Sequence, residues 1–229
     1  MILDPDDRYI QAINTYAPLA GKTILEIGCG NGRITHNLTA HATHVVATDL
    51  NPIALEQAQQ QVSAKNIEFL FTPDGFPALE EASFDLVIYT LSLHHIPTTK
   101  MAANLEHSGR LLKKSGTIVV VEPGDGGSFL DIKKRFGAGS GDESIEKSAA
   151  IRAMKEMTGW KLSPTHQFDV EFLFSDADDF YASKLPGYQN LPTKKQADLA
   201  DFLLRNTTDR GIILTAERHL NLLTRPLSQ

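Results

Sequence analysis

Gly28, Gly30 and Gly32 stand at every second position just after an apolar run, residues 24–27, that carries one acid, Glu26. A strand that ends this way gives up its side chains where something must lie against the main chain. Glycine leaves room for a ligand and permits the left-handed backbone that a tight strand-to-helix turn needs. A ligand there would meet main-chain groups and the positive end of the following helix. A dinucleotide would call for Gly-x-Gly-x-x-Gly. Here the third glycine comes one residue early and Arg33 stands in its place. Glu26 would also sit awkwardly beside a pyrophosphate. Both features oppose a nicotinamide nucleotide.

Further along, Asp49 closes a second apolar run and Asn51-Pro52 follow it. His94 and His95 lie just past a fourth apolar run. Histidine is a common general base near neutral pH, so either is a candidate catalytic residue. Adjacent positions are expected to point different ways, so the two are not expected to act together. Glu122, at the end of the fifth run, either faces a substrate or caps a loop. Asp85 reads as a structural residue at the start of a strand. His41 and His44 lack further ligands nearby, and no metal site is expected.

These groups need a scaffold. Residues 6–17 have the spacing of a helix. Residues 22–28, 43–50, 66–71, 84–90 and 117–123 are short, continuously apolar strands. Helical spacing fills the gaps: Ile34 and Leu38; Leu55, Ala58 and Val62, with Asn51 as N-cap and Pro52 first in the helix; and Met101, Leu105 and Leu112, stopped by Ser115-Gly116. Alternating strands and helices imply an α/β fold with a parallel sheet covered on both faces. After Pro123 the rhythm changes. Glycine-rich stretches flank Lys133-Lys134-Arg135, which reads as a solvated helix face or a contact for an anionic substrate. A helix through Ile151, Met154 and Met157 follows, then two longer strands, residues 166–174 and 211–225, with a helical insertion between them. The late strands would make an antiparallel edge.

The 229 residues fit one large domain, and 41% hydrophobic with 22% charged residues is ordinary for a globular protein. The 22 basic and 28 acidic residues give a net charge of −6, which argues against broad phosphate-backbone binding. The one cysteine, Cys29, rules out an intrachain disulfide and a Cys-based zinc site. The N-terminal residues lack the pattern of a secretory signal, and no apolar run approaches the ~20 residues of a membrane span. A cytoplasmic protein is expected.

With these segments in order, the sequence resembles the class I S-adenosylmethionine-dependent methyltransferases over about residues 20–123. Glu26-x-Gly28-x-Gly30-x-Gly32 is similar to their first motif. The resemblance implies S-adenosyl-L-methionine as cofactor, with Asp49 on the ribose hydroxyls and Leu50 beside it. It implies Asp74 on the adenine amino group, with Gly75 and Phe76 alongside, in the segment "TPDGFPALEEASFDLVI". Tyr89 and Leu91 would line the methionine end. The segments "LSLHHIP" and "RLLKKSGTIVVVEP" also match, and the likeness is greatest to the small-molecule branch that includes ubiquinone and menaquinone biosynthesis methyltransferases. The implied fold is a doubly wound, Rossmann-like, seven-stranded sheet in a single domain, residues 1–229, mostly parallel with an antiparallel edge. Residues 20–123 would form its cofactor half, and residues 124–160 and 176–207 a substrate lid. The implied activity is methyl transfer to a small-molecule acceptor. The alternatives are a non-catalytic cofactor-binding module, a methyltransferase of RNA or protein, and a nicotinamide-dependent oxidoreductase.

Overall fold

The computed structural model describes residues 1–226. Ten strands and eight helices run β1 (Ile2–Leu3), α1 (Arg8–Tyr16), β2 (Thr23–Ile27), α2 (Arg33–His41), β3 (His44–Asp49), α3 (Pro52–Gln61), β4 (Ile67–Phe71) and β5 (Phe84–Thr90). They continue α4 (Met101–Leu111), β6 (Leu112–Pro123), α5 (Ser128–Phe136), α6 (Ser144–Glu156), β7 (Lys161–Leu162) and β8 (His166–Phe174). The last are α7 (Ala177–Lys184), α8 (Thr193–Arg205), β9 (Thr207–Thr208) and β10 (Gly211–Thr224). A short 3-10 turn, Leu93–His95, follows β5. The chain divides into two compact units. Among the described residues, one holds 10–122, 144–166 and 219–226; the other holds 1–9, 123–143 and 167–218.

The first unit is built on the parallel run. Its strands hydrogen-bond in the order β10-β6-β5-β2-β3-β4, with β7 antiparallel to β10. β2, β3 and β5 are apolar almost throughout because they are covered on both faces. Edge strand β4 is only partly buried. Register aligns the strand ends: Ile27 pairs Thr48 and Tyr89, Asp49 pairs Phe71, and Thr90 pairs Val121. The residues that follow those positions therefore share one carboxyl edge. The chain crosses first to one side of β2 and then to the other, which leaves a crevice at that edge.

The helices form largely where the spacing placed them. Asn51 caps α3, its side chain accepting from the Ile53 and Ala54 amides, and Pro52 follows as first residue. Asp85 is structural, accepting from the Thr23 amide and from Lys113 Nζ, each at 2.9 Å. α6 packs on α4 and on the 3-10 turn, burying Ala149, Ala150, Ala153 and Met154 against Leu93, Met101 and Leu105.

In the other unit β1 lies antiparallel to β8, β8 neighbours β10, and β9 pairs back onto β10. Burial alternates along β8 and β10, as in strands covered on one face.

Two expectations are corrected. The sheet has ten strands rather than seven among the described residues. The excess is β1, β7 and β9, each two residues long, too short to carry any periodicity. Strand β6 also begins at Leu112 rather than Thr117, so the helix through Met101 and Leu105 ends at Leu111 and is not the one stopped by Ser115-Gly116. A bulge absorbs the difference, since Phe84 pairs Leu112 while Leu86 already pairs Thr117. The bulge folds Leu112 over Gly116, where an added Cβ would come within 2.7 Å of it.

Tyr89 ties α4 to the sheet. Its hydroxyl donates to Asn104 Oδ1 at 2.6 Å and lies 2.6 Å from Ser108 Oγ, all buried. Burial pushes its phenol well above the ordinary range. Tyr89→Phe should cost about 1–3 kcal/mol, because two buried polar groups lose their partner. Urea unfolding checks this, and an unchanged midpoint would show that the network contributes nothing.

Candidate functional site

The loop after β2 folds against the end of β3. The Gly28 and Cys29 amides both donate to the Thr48 carbonyl at 2.9 Å. The Gly30 amide donates to Asp49 Oδ2 at 2.7 Å, and the Asn51 amide to Asp49 Oδ1 at 2.8 Å. Both carboxylate oxygens are thereby aimed, and each keeps capacity to accept a further bond.

The three glycines do different jobs, which corrects the expectation that all of them clear space for a ligand. A Cβ on Gly28 would fall 2.6 Å from Ser92 Cβ, in the segment after β5, whose hydroxyl donates to the Ile27 carbonyl. A Cβ on Gly32 would meet Ala58 and Val62 of the α3 region at 3.0 Å. These two make room for the protein's own chain. Gly30 alone of the three, at φ +56°, would meet nothing within 4 Å.

Glu26 lies beneath the loop, 1% exposed. Thr35 Oγ1 donates to its Oε2 at 2.6 Å. Burial pushes its carboxyl up to about 7; Thr35 and Arg33 oppose the shift and Asp49 adds to it. Burial likewise raises the Cys29 thiol far above its usual range.

Next to Asp49, Leu50 and Ile53 are largely exposed. The Thr72 amide donates to the Asp49 carbonyl at 2.9 Å, which docks the loop after β4 onto β3. In that loop exposed Asp74 accepts from the Phe76 amide at 3.0 Å, and Asn104 Nδ2 donates to the Gly75 carbonyl at 2.7 Å. Phe76 meets His107 edge to face. Asp49, Leu50, Asp74, Gly75 and Phe76 thus hang on adjacent strand ends. Leu91 sits at φ +56°, a costly conformation for leucine, with its amide donating to the Val121 carbonyl at 2.7 Å. Tyr89 is different. It is fully buried, so in this structure it lies beneath the edge and presents no surface to a ligand.

Burial separates the two histidines. His94 is 4% exposed and its Nδ1 bonds Glu122 Oε2, itself buried, across the edge from β5 to β6. Glu122 therefore holds His94 rather than facing a ligand with that oxygen. His95 is exposed. Contrary to expectation the rings stay together, with centroids 4.0 Å apart at 45°, because the 3-10 turn does not send successive side chains to opposite sides. Two buried polar atoms without a partner among the described residues, Thr90 Oγ1 and Glu122 Oε1, lie at this same edge. Native structures carry few such orphans, and they mark places where a ligand or water completes the set. Sequence reading missed Thr48, Ser92, Thr35 and Asn104, which position the rest. Each is a small polar residue with no pattern of its own.

Glu26 makes stability depend on pH with a definite sign. Its folded value of about 7 exceeds the open-chain 4.5, so between those values the folded protein keeps a proton that the unfolded chain has lost. Its contribution is present below about pH 4.5 and is lost as pH rises through about 7. Glu26→Gln should remove that slope, so the variant gains on the order of 2 kcal/mol on wild type between pH 5 and pH 8. Unfolding midpoints at both pH values test this; parallel slopes would refute it.

Comparisons with known proteins agree with this geometry. Residues 24–116 match the family described as "Methyltransferase domain". An uncharacterized methyltransferase of Mycobacterium bovis is 31% identical over 113 residues, 49% of this chain and 56% of that protein. The ubiquinone biosynthesis O-methyltransferase of Nitrosococcus oceani is 31% identical over 112 residues, 48% of this chain and 47% of that protein. The chain thus spans about half the length of the curated relatives it matches. A Bacillus halodurans protein classed as a methyltransferase superposes with a TM-score of 0.61 at 19% identity, covering 95% of this chain and 98% of its own. A precorrin decarboxylase of Methanobacterium thermoautotrophicum superposes at 0.56 with 13% identity, covering 97% and 90%. At such identities the likeness is of fold, and the fold serves more than one chemistry. No helix among the described residues is long and apolar enough to cross a membrane. Taken with the loop, the strand-end acid and the order of the strands, the sequence match makes residues 24–116 similar to a methyltransferase domain.

Proposed function

We propose that this chain transfers the methyl group of S-adenosylmethionine to a small-molecule acceptor in the cytoplasm. The observation that carries the reading is the aimed carboxylate of Asp49, held by the Gly30 and Asn51 amides beside the one loop glycine that faces open space. A carboxylate with spare lone pairs suits a pair of ribose hydroxyls. Exposed Leu50 and part-exposed Phe76 suit an adenine face, and Asp74 its amino group. Asp49 places negative potential at the loop, and Glu26 adds to it above about pH 7, which favours a cationic cofactor and repels a diphosphate. Glu26, Gly28, Gly30, Gly32, Asp49, Leu50, Asp74, Gly75, Phe76 and Leu91 are the residues that would hold the group, with Tyr89 supporting them from below. When bound, S-adenosylmethionine supplies a methyl group on a positively charged sulfur, already reactive toward a nucleophile. The protein's part is to orient the acceptor and keep water out. The ubiquinone O-methyltransferase relatives and the acidic charge balance support a small acceptor.

For an acceptor that arrives as O–H or N–H, the histidine pair offers a route for the proton. His95, the exposed ring, takes it at a ring nitrogen and passes it to solvent; His94, fixed by Glu122, sets the position of His95.

Isothermal titration of S-adenosylmethionine should show binding in the wild type and a loss of at least about tenfold in Asp49→Ala, the scale of two charged hydrogen bonds. No binding by a folded wild type would sink the reading. Hydrogen exchange followed through the same titration, and again with an acceptor bound, tests residues 124–160 and 176–207 as the lid. Protection should rise there, except in α6, already anchored in the core.

With an acceptor found by screening for the demethylated product, His95→Gln should lower turnover about 10²-fold, leave cofactor affinity unchanged, and flatten the acid limb of the pH profile. His94→Gln should shift that limb. Profiles that do not move would leave both histidines with structural roles only.

A further inference from the structure

The unit formed by residues 1–9, 123–143 and 167–218 contains positive charge that the protein does not neutralise. Arg218, on β10, is 6% exposed. Its Nε donates to the Tyr9 hydroxyl at 2.5 Å and its Nη1 to the Glu217 carbonyl at 2.9 Å. The guanidinium carbon stands 5.7 Å from the Tyr9 ring centre and 5.9 Å from that of Phe172. Among the described residues no carboxylate reaches ion-pair distance, and Nη2 has no acceptor. A second cation comes to the same ring. Lys184 Nζ, from the end of α7, lies 5.2 Å from the centre of Phe172 and 5.7 Å from that of Phe129. It too lacks an ion pair among the described residues. Burial holds its ammonium below the ordinary lysine range. Phe129 and Phe172 are stacked, centroids 4.2 Å apart at 7°.

Stability alone does not call for this arrangement. Taking a guanidinium out of water costs several kcal/mol, and the surest compensation is an anion. Contact with aromatic faces returns only about 0.5–2 kcal/mol. Leucine or methionine would cover the same rings without the penalty. The basic run on α5 is a different case: Lys133 pairs with Glu143 at 3.2 Å, and Arg135 lies over Phe136 and Phe202.

We propose that Arg218 and Lys184, with Tyr9, Phe129 and Phe172, form a recognition site for an aromatic carboxylate. The carboxylate accepts from Nη2 of Arg218 and from the Lys184 ammonium, and the ligand's ring lies against part-exposed Phe129, while buried Tyr9 and Phe172 hold the two cations from behind. The binding does not depend on methyl transfer; naming this ligand as the methyl acceptor rests on that reading.

Calorimetry on the full chain without cofactor tests it, using benzoate, 4-hydroxybenzoate and uncharged benzamide as probes. The two carboxylates should bind saturably below about 10 mM. Benzamide should not, and salt should weaken the binding. Lys184→Met, at a half-buried position, should keep the wild-type melting temperature and lose about tenfold in benzoate affinity. Arg218→Met should lose it altogether, and if that variant fails to fold, Lys184→Met decides. Equal binding of benzoate and benzamide, no saturable binding, or unchanged affinity in Lys184→Met would overturn the assignment and leave the cations as cover for an aromatic core. Titration of S-adenosylmethionine against Asp49→Ala reports separately on methyl transfer, so either reading can fail alone.

Discussion

The candidate site depends on the pairing of the β2 loop with the end of β3. Three left-handed glycines in five residues would be a poorly determined turn in isolation. Here the Gly28 and Cys29 amides share the Thr48 carbonyl, and Gly30 takes the Asp49 carboxylate. The loop is thus closed by a neighbouring strand rather than by its own residues. That closure requires the parallel register in which Ile27 stands opposite Thr48. Shifting β3 by one residue would turn every β3 side chain to the other face and leave two amides without partners. The same register delivers Asp49, because it is the next residue after Thr48. Loop shape and acid position are therefore one constraint.

The alternation of elements was legible because a buried parallel strand is a short apolar run and nothing else in a chain of this composition looks like one. Residues 84–90 and 166–174 could be bounded to the residue. The cap at Asn51-Pro52 was legible because both residues have one preferred place in a helix. What failed was whatever a second strand decides. The two-residue strands exist only as partners of β8 and β10. The early start of β6 depends on a bulge against Phe84. The glycines were legible as a pattern but not as causes, since Ser92, Ala58 and Val62 come to Gly28 and Gly32 from segments far along the chain. Tyr89 shows the limit in another way. A tyrosine near a strand end reads as a wall of the pocket, yet it packs inward, because Asn104 and Ser108, four apart on α4, offer its hydroxyl two partners.

The end of β5 is one place where the fold accepts strain. Leucine at φ +56° costs on the order of 1 kcal/mol relative to an ordinary conformation. The Val121 carbonyl holds the Leu91 amide in place, and the turn this creates drops Ser92 onto the Gly28 backbone. From there the chain enters the 3-10 turn that presents both histidines. A relaxed extended residue at 91 would carry Ser92 away from Gly28 and His94 away from Glu122. The strain is small beside the buried hydrogen bonds that follow from it.

Electrostatics gives the edge its character. Glu26, Asp49, Asp74 and Glu122 all follow from strand ends or the loops beyond them, and Glu26 and Glu122 are buried. Each buried acid is held by a single side-chain partner, Thr35 or His94, and Glu122 keeps one oxygen without any partner among the described residues. A structure selected for stability alone would replace such groups or complete their bonds. Clustered acids that are incompletely satisfied raise the cost of the empty site and lower that of the same site holding a cation. On the proposed function this charge pattern suits a sulfonium, which brings a positive charge, better than a diphosphate.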